Sequence, residues 1–307
     1  MPKEVRVFAP ATVANVACGF DIFGFALETP GDEIFVRLSD TPGVVFKSIT
    51  GDEGFLPWDP QKNTAGVVVI KLLEHLKCKQ GIEIHLHKKM PLGSGLGSSA
   101  ASAAGSLFAV NRLLGNPLSA KELLPFALEG ERVACGSAHA DNVAPGLLGG
   151  FVLIRSYNPL DVVKIPCAVP LYCTILHPHI EVRTEEARKL ISREIPLEKH
   201  VQQSGNAAGL IAGLMMGDVM LIRNSLQDVI AEPVRSGLIP GFKQIKEAAL
   251  AAGALGASIS GSGPSLFALS LKLSDAEKVG EAMFTACPGR SSLYVSKVNE
   301  QGPVVLS

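Results

Sequence analysis

Pro91-Leu92-Gly93-Ser94-Gly95-Leu96-Gly97-Ser98-Ser99-Ala100-Ala101 is a glycine-serine loop that runs straight into an alanine-rich segment with helical composition. Three alternate glycines let backbone N–H groups converge on an anion without Cβ interference. The helix that follows aims its unpaired N–H groups and positive dipole end at the same point. Ser98 and Ser99 stand where a hydroxyl can reach a phosphate oxygen or a bound Mg²⁺. The loop lacks the Gly-Lys-Ser/Thr ending of the P-loop, and its Gly-x-Gly-x-Gly spacing is not the dinucleotide fingerprint. The bland alternative is a flexible connection between a strand and a helix. The strand in front argues against it, because Ile82, Ile84 and Leu86 alternate with Glu83, His85 and His87 in a period of two. Lys88 and Lys89 follow, placed by sequence near any bound polyphosphate. His85 and His87 read as residues of the strand's polar face, with no third metal ligand nearby.

The chain has 307 residues, 47% hydrophobic and 19% charged, which is enough for two domains with sizeable cores and too apolar for disorder. A formal net charge of −1 gives no electrostatic reason to expect nucleic acid or an anionic membrane as partner. Six cysteines at 18, 78, 135, 167, 173 and 287 form no Cys-x-x-Cys pair. They suggest neither zinc nor a disulfide framework, and reduced thiols in a cytoplasmic protein are the simplest reading. Met1-Pro2-Lys3-Glu4 enters a strand at once, so no signal peptide is expected. Met90 to Asn111 and Ala248 to Leu271 carry no charge and are long enough to span a bilayer. Both are dense in Gly and Ser and include Pro91 or Pro264, so they read as glycine loops joined to small-residue elements.

Outward from the loop, the pattern predicts strands at 5–8 (stopping at Pro10), 34–38 and 44–46, and an apolar run at 22–27. It predicts helices at 64–76, 100–114 and from a capping box at Ser119–Glu122, the last carrying Glu129 and Glu131. A second small-residue polar loop, 136–142, and a strand at 151–154 come next. Pro159, Pro166 and Pro170 mark a boundary, dividing the chain into 1–165 and 166–307. The second part is expected to hold strands at 171–176, 266–271 and 293–298. Its helices are expected from Thr184, at 203–216, 218–230 and 241–252, and from a capping box at Ser274–Glu277. A third glycine loop is Ser260-Gly261-Ser262-Gly263-Pro264-Ser265, which either faces the first or is a tight turn. The fold class is α+β, with two layers per domain.

Phosphoryl transfer needs a cradle for the donor, a divalent cation and an oriented acceptor hydroxyl. A hydroxyl and one carboxylate suffice for Mg²⁺ with its waters, and Ser99 and Glu131 are the candidates, against a solvated carboxylate for Glu131. His139-Ala140-Asp141-Asn142 is either an Asx turn or an acceptor site, with Asp141 as base and Asn142 as partner of the hydroxyl. Arg188 and Arg235 read singly as surface salt-bridge residues. Paired, they can clamp a carboxylate.

Taken together these segments resemble the GHMP kinase superfamily, and within it the homoserine kinases. The resemblance rests on Ala9-Pro10-Ala11-Thr12 with Asn15 and Gly19-Phe20-Asp21, the loop Pro91 to Ala101, and His139 to Pro145. It rests further on His177-Pro178, Val182-Arg183-Thr184 with Ala187-Arg188, Arg235 with Ile239-Pro240-Gly241-Phe242, and Gly256 to Phe267. It implies an ATP-binding N-terminal domain like ribosomal protein S5 and a ferredoxin-like C-terminal domain, with the site between them. It implies ATP and Mg²⁺, L-homoserine as acceptor, and a product on the way to threonine. By position, Asn15, Asp21, His139, Thr184, Arg188 and Arg235 fall where the family holds its amino acid. The 91–101 loop falls where it holds ATP, and Ser99 and Glu131 where it holds Mg²⁺. Asp141 lines up with the aspartate many relatives use as base, although homoserine kinases are taken to manage without one. Asn142 is then expected to orient the hydroxyl while Asp141 shapes the site. Ala17-Cys18 departs from the family's frequent Gly-Pro, which implies a changed loop shape. The zwitterionic acceptor suits these residues: Asp21 for the ammonium, two arginines for the carboxylate. Other small hydroxyl acceptors and a non-catalytic metabolite sensor are the competing readings, and a homodimer is compatible with either.

Overall fold

The computed structural model describes residues 3–136 and 139–306, leaving out the side chains of Ala134 and Cys135. Met1 and Pro2, and Ser137 and Ala138 of the expected polar loop, lie outside the described residues.

The first strand, β1 (Glu4–Ala14), does not stop at Pro10. Its register shifts between Pro10 and Thr12 against β2 (Phe23–Ser39), and such an irregularity tolerates a residue with no N–H to give the ladder. The two apolar runs at 22–27 and 34–38 are the two ends of this one long β2. Strand β3 (Val44–Thr50) connects through α1 (Thr64–His75), whose first turn is capped by Asn63, to a parallel neighbour β4 (Gly81–His87). Then come α2 (Ser98–Leu113), α3 (Ala120–Cys135) with its capping box formed as expected, and α4 (Ala140–Leu148). That last helix corrects the reading of 139–142 as loop or Asx turn, since Asp141 and Asn142 occupy a helical first turn. Strands β5 (Phe151–Tyr157) and β6 (Leu160–Ile165) close the first unit as a hairpin.

The chain continues with β7 (Tyr172–Pro178), α5 (Thr184–Lys189), α6 (Leu197–Met216), α7 (Val219–Ser225), α8 (Glu232–Arg235), α9 (Phe242–Ala251), β8 (Gly256–Ile259), β9 (Leu266–Ser270), α10 (Leu273–Ala286), β10 (Ser291–Lys297) and β11 (Val304–Val305). Ser274 caps nothing: α10 starts at Leu273 and its N-cap, Lys272, makes no side-chain bond. Helix α7 ends at Ser225, short of the expected 230. Beyond it the Asp228 carboxylate accepts from the N–H groups of Ile230, Ala231 and Glu232.

Two sheets result. The first has the order β11-β1-β2-β4-β3, with β5 also on β2 and β6 on β5. The second is antiparallel, in the order β10-β7-β9-β8. One apolar core runs through both. Phe267 of β9 meets Phe25 of β2 edge-on at 6.1 Å, and Phe25 lies 4.7 Å from Phe151 of β5. A bridge between Leu27 and Val298 stitches the same seam. A smaller core lies between the second sheet and α9 and α10, around Ile245, Ala268 and Met283. No helix among the described residues is long and apolar enough to cross a membrane. Cys18, Cys78, Cys167, Cys173 and Cys287 are free thiols.

Candidate active site

Where the two sheets meet, a cleft of about 390 Å³ opens, within the range of small-molecule sites. Its wall on one side is the first glycine loop. Gly93, Gly95 and Gly97 all have φ between 65° and 77°. At Gly97, the N-cap of α2, a Cβ would lie 2.0 Å from Thr12 Oγ1 and 2.9 Å from Asn142 Oδ1. At Gly95 it would lie 2.6 Å from the carbonyl of Ser260, because the third glycine loop faces the first. Ser260 Oγ donates to Gly95 O (2.6 Å), so the third loop, which is also the turn between β8 and β9, is locked against the first. The hydroxyls of Ser94 and Ser98 are buried and have no hydrogen-bond partner among the described residues. Buried donors left over beside a sixteen-residue helix's N-terminus fit the phosphates of a nucleotide.

Lys88 does not wait there as a free cation. It is buried under α2, ion-paired with Asp32, and its Nζ also donates to Ser98 O (2.8 Å) and Ser102 Oγ (2.9 Å). Asp32 in turn accepts from the N–H groups of Lys89 and Met90. Lys89 pairs with Glu33 at the surface. The Lys88–Asp32 pair fixes the entry to the loop, and Lys88 lines the cleft from there. His85 and His87 bond to Ser48 and Thr50, and no group of three or more possible metal ligands occurs among the described residues.

Ser99 and Glu131 meet across α2 and α3, the hydroxyl donating to Oε1 at 2.8 Å. Glu131 is buried, unlike Glu129, which forms a surface pair with Arg132. A half-buried hydroxyl and a buried carboxylate beside orphaned serines fit Mg²⁺. Asp141 faces the same cleft from α4, 3% exposed, with its Oδ1 lacking any hydrogen-bond partner among the described residues. Burial, reinforced by the charges of Asp21 and Glu131, pushes its carboxyl up to about 8. Asn142 Oδ1 accepts from Thr12 Oγ1 at 2.8 Å.

The opposite wall carries the charged groups. Asn15, Val16, Ala17 and Asp21 all have positive φ (68°, 41°, 59° and 62°). Such backbone costs on the order of 1–2 kcal/mol per residue and persists only where surroundings fix it. Asn15 Nδ2 donates to Gly261 O, and its Oδ1 accepts from the N–H of Asp21. Arg188 from α5 grips Asp21 bidentately (2.9 and 2.7 Å), and His139 lies 3.6 Å from the same carboxylate. Burial holds the His139 imidazole below its usual value, Asp21 opposing. Thr184 Oγ1 lies 3.1 Å from Ser262 Oγ at the rim. Arg235 is 3% exposed, and its Nε and Nη1 reach only backbone carbonyls, of Ala187 and Gly261. No carboxylate among the described residues forms a salt bridge with it. Asp21 and Arg188 thus pair directly, whereas the carboxylates of Asp21, Asp228 and Asp141 act on Arg235 only from a distance.

Two residues bracing this wall escaped the sequence reading. Tyr157, at the end of β5, donates to Asp21 O (2.7 Å) and accepts from the N–H of Ala140 (3.2 Å). It ties the Asp21 turn to the helix carrying Asp141. Gln203 of α6 donates to Cys18 O and Asp228 and accepts from Val229, bracing the strained turn against the segment that leads to Arg235. Neither stands in a motif, and only their partners give them meaning.

The GHMP kinases N terminal domain model matches residues 63–150, and the GHMP kinases C terminal model residues 209–289. A homoserine kinase of Chlorobium phaeobacteroides (strain BS1) is 53% identical, over 99% of this chain and 100% of its own length. One from Chloroherpeton thalassium is 55% identical over 92% of this chain and 91% of its own. The crystal structure of homoserine kinase from Cytophaga hutchinsonii matches with a TM-score of 0.97 at 59% identity, covering 100% of this chain and 98% of that one. The fold extends to L. major mevalonate kinase, with a TM-score of 0.73 at 16% identity over 95% of each chain. With the paired glycine loops, the two-domain α+β architecture and full-length similarity all in agreement, the chain belongs to the homoserine kinase family of GHMP kinases.

Proposed function

We propose that this chain transfers the γ-phosphoryl group of ATP directly to the side-chain hydroxyl of L-homoserine, giving O-phospho-L-homoserine for threonine biosynthesis. The observation that carries the acceptor is the buried Arg235, which has no salt-bridged carboxylate among the described residues, beside the Arg188–Asp21 pair. An α-amino acid is a ligand that enters such a pair without stranding either charge: its ammonium faces Asp21 and its carboxylate faces the guanidinium groups. Mevalonate offers no ammonium and galactose neither charge.

Residues 1–165 form the proposed ATP-binding unit and 166–307 the second unit. The loop Pro91–Ala101 holds the nucleotide phosphates through backbone N–H groups and the orphaned hydroxyls of Ser94 and Ser98. Ser99 and Glu131 hold Mg²⁺, which when bound neutralises charge on the transferring phosphoryl group. Asn15, Asp21, His139, Thr184, Arg188 and Arg235 bind and orient the acceptor, and Asn142, fixed by Thr12, directs its hydroxyl. The oxygen–phosphorus bond forms as the bond to ADP breaks, and the hydroxyl proton leaves late, to a phosphoryl oxygen. A loose transition state asks for alignment rather than a strong base. Asp141, whose carboxyl burial keeps protonated at neutral pH in the free protein, shapes the pocket.

ADP release, followed with Mg-ATP and L-homoserine, L-serine, mevalonate or galactose, tests the assignment. Turnover with L-homoserine alone supports it. Turnover with another acceptor keeps the kinase and overturns the substrate, and nucleotide binding without turnover favours a sensor. Arg235→Gln should lose ~2–5 kcal/mol of acceptor binding, the size expected when one partner of a buried charge contact is removed. A large turnover loss in Asp141→Asn, with unchanged acceptor affinity and a shifted pH profile, counts against base-free transfer.

A further inference from the structure

Phe20 sits between the strained turn and Asp21, half-buried and with no hydrogen bond to offer. Two cations crowd it. The Arg188 guanidinium carbon lies 5.2 Å from the ring centroid and that of Arg235 lies 5.0 Å from it. Arg188 pairs directly with a carboxylate, whereas Arg235 hydrogen-bonds only to carbonyls among the described residues and feels the repulsion of Arg188 in a desolvated place. Burial and that repulsion both lower the proton affinity of Arg235. The carboxylates of Asp21, Asp228 and Asp141 oppose this from a distance, and the Phe20 ring lies within cation–π range of both guanidinium groups.

We infer that Phe20 is a specificity-determining positioning residue, whose ring holds Arg188 and Arg235 together as a two-cation clamp for the acceptor's α-carboxylate. The inference deepens the proposed function and rests on its choice of an amino-acid acceptor. An aliphatic side chain of similar bulk would fill the space, but it would leave the guanidinium groups to repel each other. The ring therefore selects for ligands that carry a carboxylate, and it has no part in holding the nucleotide. The distances are those at which cation–π contacts are significant, and partial desolvation places the expected effect at about tenfold in affinity.

The experiment is titration calorimetry of acceptor binding, with L-homoserine and with its amide, which keeps the ammonium but replaces the carboxylate by a neutral carboxamide, together with the KM for Mg-ATP. Phe20 is replaced by 3,5-difluoro- and 3,4,5-trifluorophenylalanine, which drain the ring's negative face at nearly constant shape, and by Leu and Met. Expected is a stepwise loss of L-homoserine affinity with fluorination, reaching about tenfold in Phe20→Leu. The amide's affinity and the KM for Mg-ATP should hold constant. Equal losses for acid and amide, or trifluorinated protein that binds like wild type, overturn the inference and leave Phe20 as packing alone. If the Leu and Met variants fail to fold, the fluorinated series decides by itself. Wild-type protein that binds L-homoserine no better than its amide overturns the amino-acid assignment first, a result readable before any variant is made.

Discussion

Asp141→Asn removes one ionisation from the cleft while keeping the shape of the side chain. Asp141 is 3% exposed, with one carboxylate oxygen unbonded among the described residues and the charges of Asp21 and Glu131 nearby. Its carboxyl therefore stays protonated in the fold up to about pH 8, against 3.8 for an ordinary aspartate. Between those values the unfolded chain has released the proton and the folded chain has kept it, so stability falls as pH rises. Below the window both states are protonated, and above it both are ionised, so the slope vanishes at each end. Inside it the slope is about 1.4 kcal/mol per pH unit. From pH 5.5 to 7.5 the advantage of Asp141→Asn over wild type should grow by about 2.7 kcal/mol. For a chain of this size that is ~4 °C in melting temperature. Guanidinium unfolding of ligand-free, metal-free protein at the two pH values reads the difference directly. Parallel pH curves for the two proteins would refute the reasoning, because they would mean that the fold holds Asp141 ionised.

Gly97→Ala forces a Cβ into contact with Thr12 Oγ1 in a left-handed position and breaks the Thr12–Asn142 bond. About 2–3 kcal/mol of stability and most of kcat should go, by chemical unfolding and the ADP assay. Lys88→Met strands the buried Asp32 and should destabilise by about 3–5 kcal/mol. Adding Asp32→Asn should recover part of the loss in a double-mutant cycle. Tyr157→Phe loses the link between Asp21 O and Ala140 N, and the KM for L-homoserine should rise a few-fold with that for Mg-ATP constant. A change confined to Mg-ATP would contradict that role.

The glycine-loop half of the cleft was legible because backbone chemistry is local. Glycines at 93, 95 and 97 announce left-handed backbone, and Ser98 opens a helix whose composition is unmistakable. Helix α4 was not legible: Asp141, Asn142 and Pro145 are poor helix formers, and burial of Val143, Ala144 and Leu147 overrides their preference. Strand β2 read as two because Pro30 interrupts its apolar pattern. The charged half depends on long-range pairing. Asp21 and Arg188 are 167 residues apart, and Lys88 finds Asp32 at a separation of 56. No spacing rule reveals that one pair lines the cleft while the other braces its floor. Arg235 was legible as a candidate, but its lack of a carboxylate partner appears only when its surroundings are in place.

The aromatic seam of Phe25, Phe151 and Phe267 makes the two sheets share one interior. A hinge that swung them apart would expose those rings to water, at about 1.5–3 kcal/mol for each side chain fully bared. Wide opening is therefore a rare excursion for this molecule. The Thr184–Ser262 contact at the rim lies outside that seam and can adjust without disturbing it. The consequence is a pocket whose dimensions are inherited from the core: a methyl-sized change at Phe267, far from any charge, would retune the gap that a substrate has to fit.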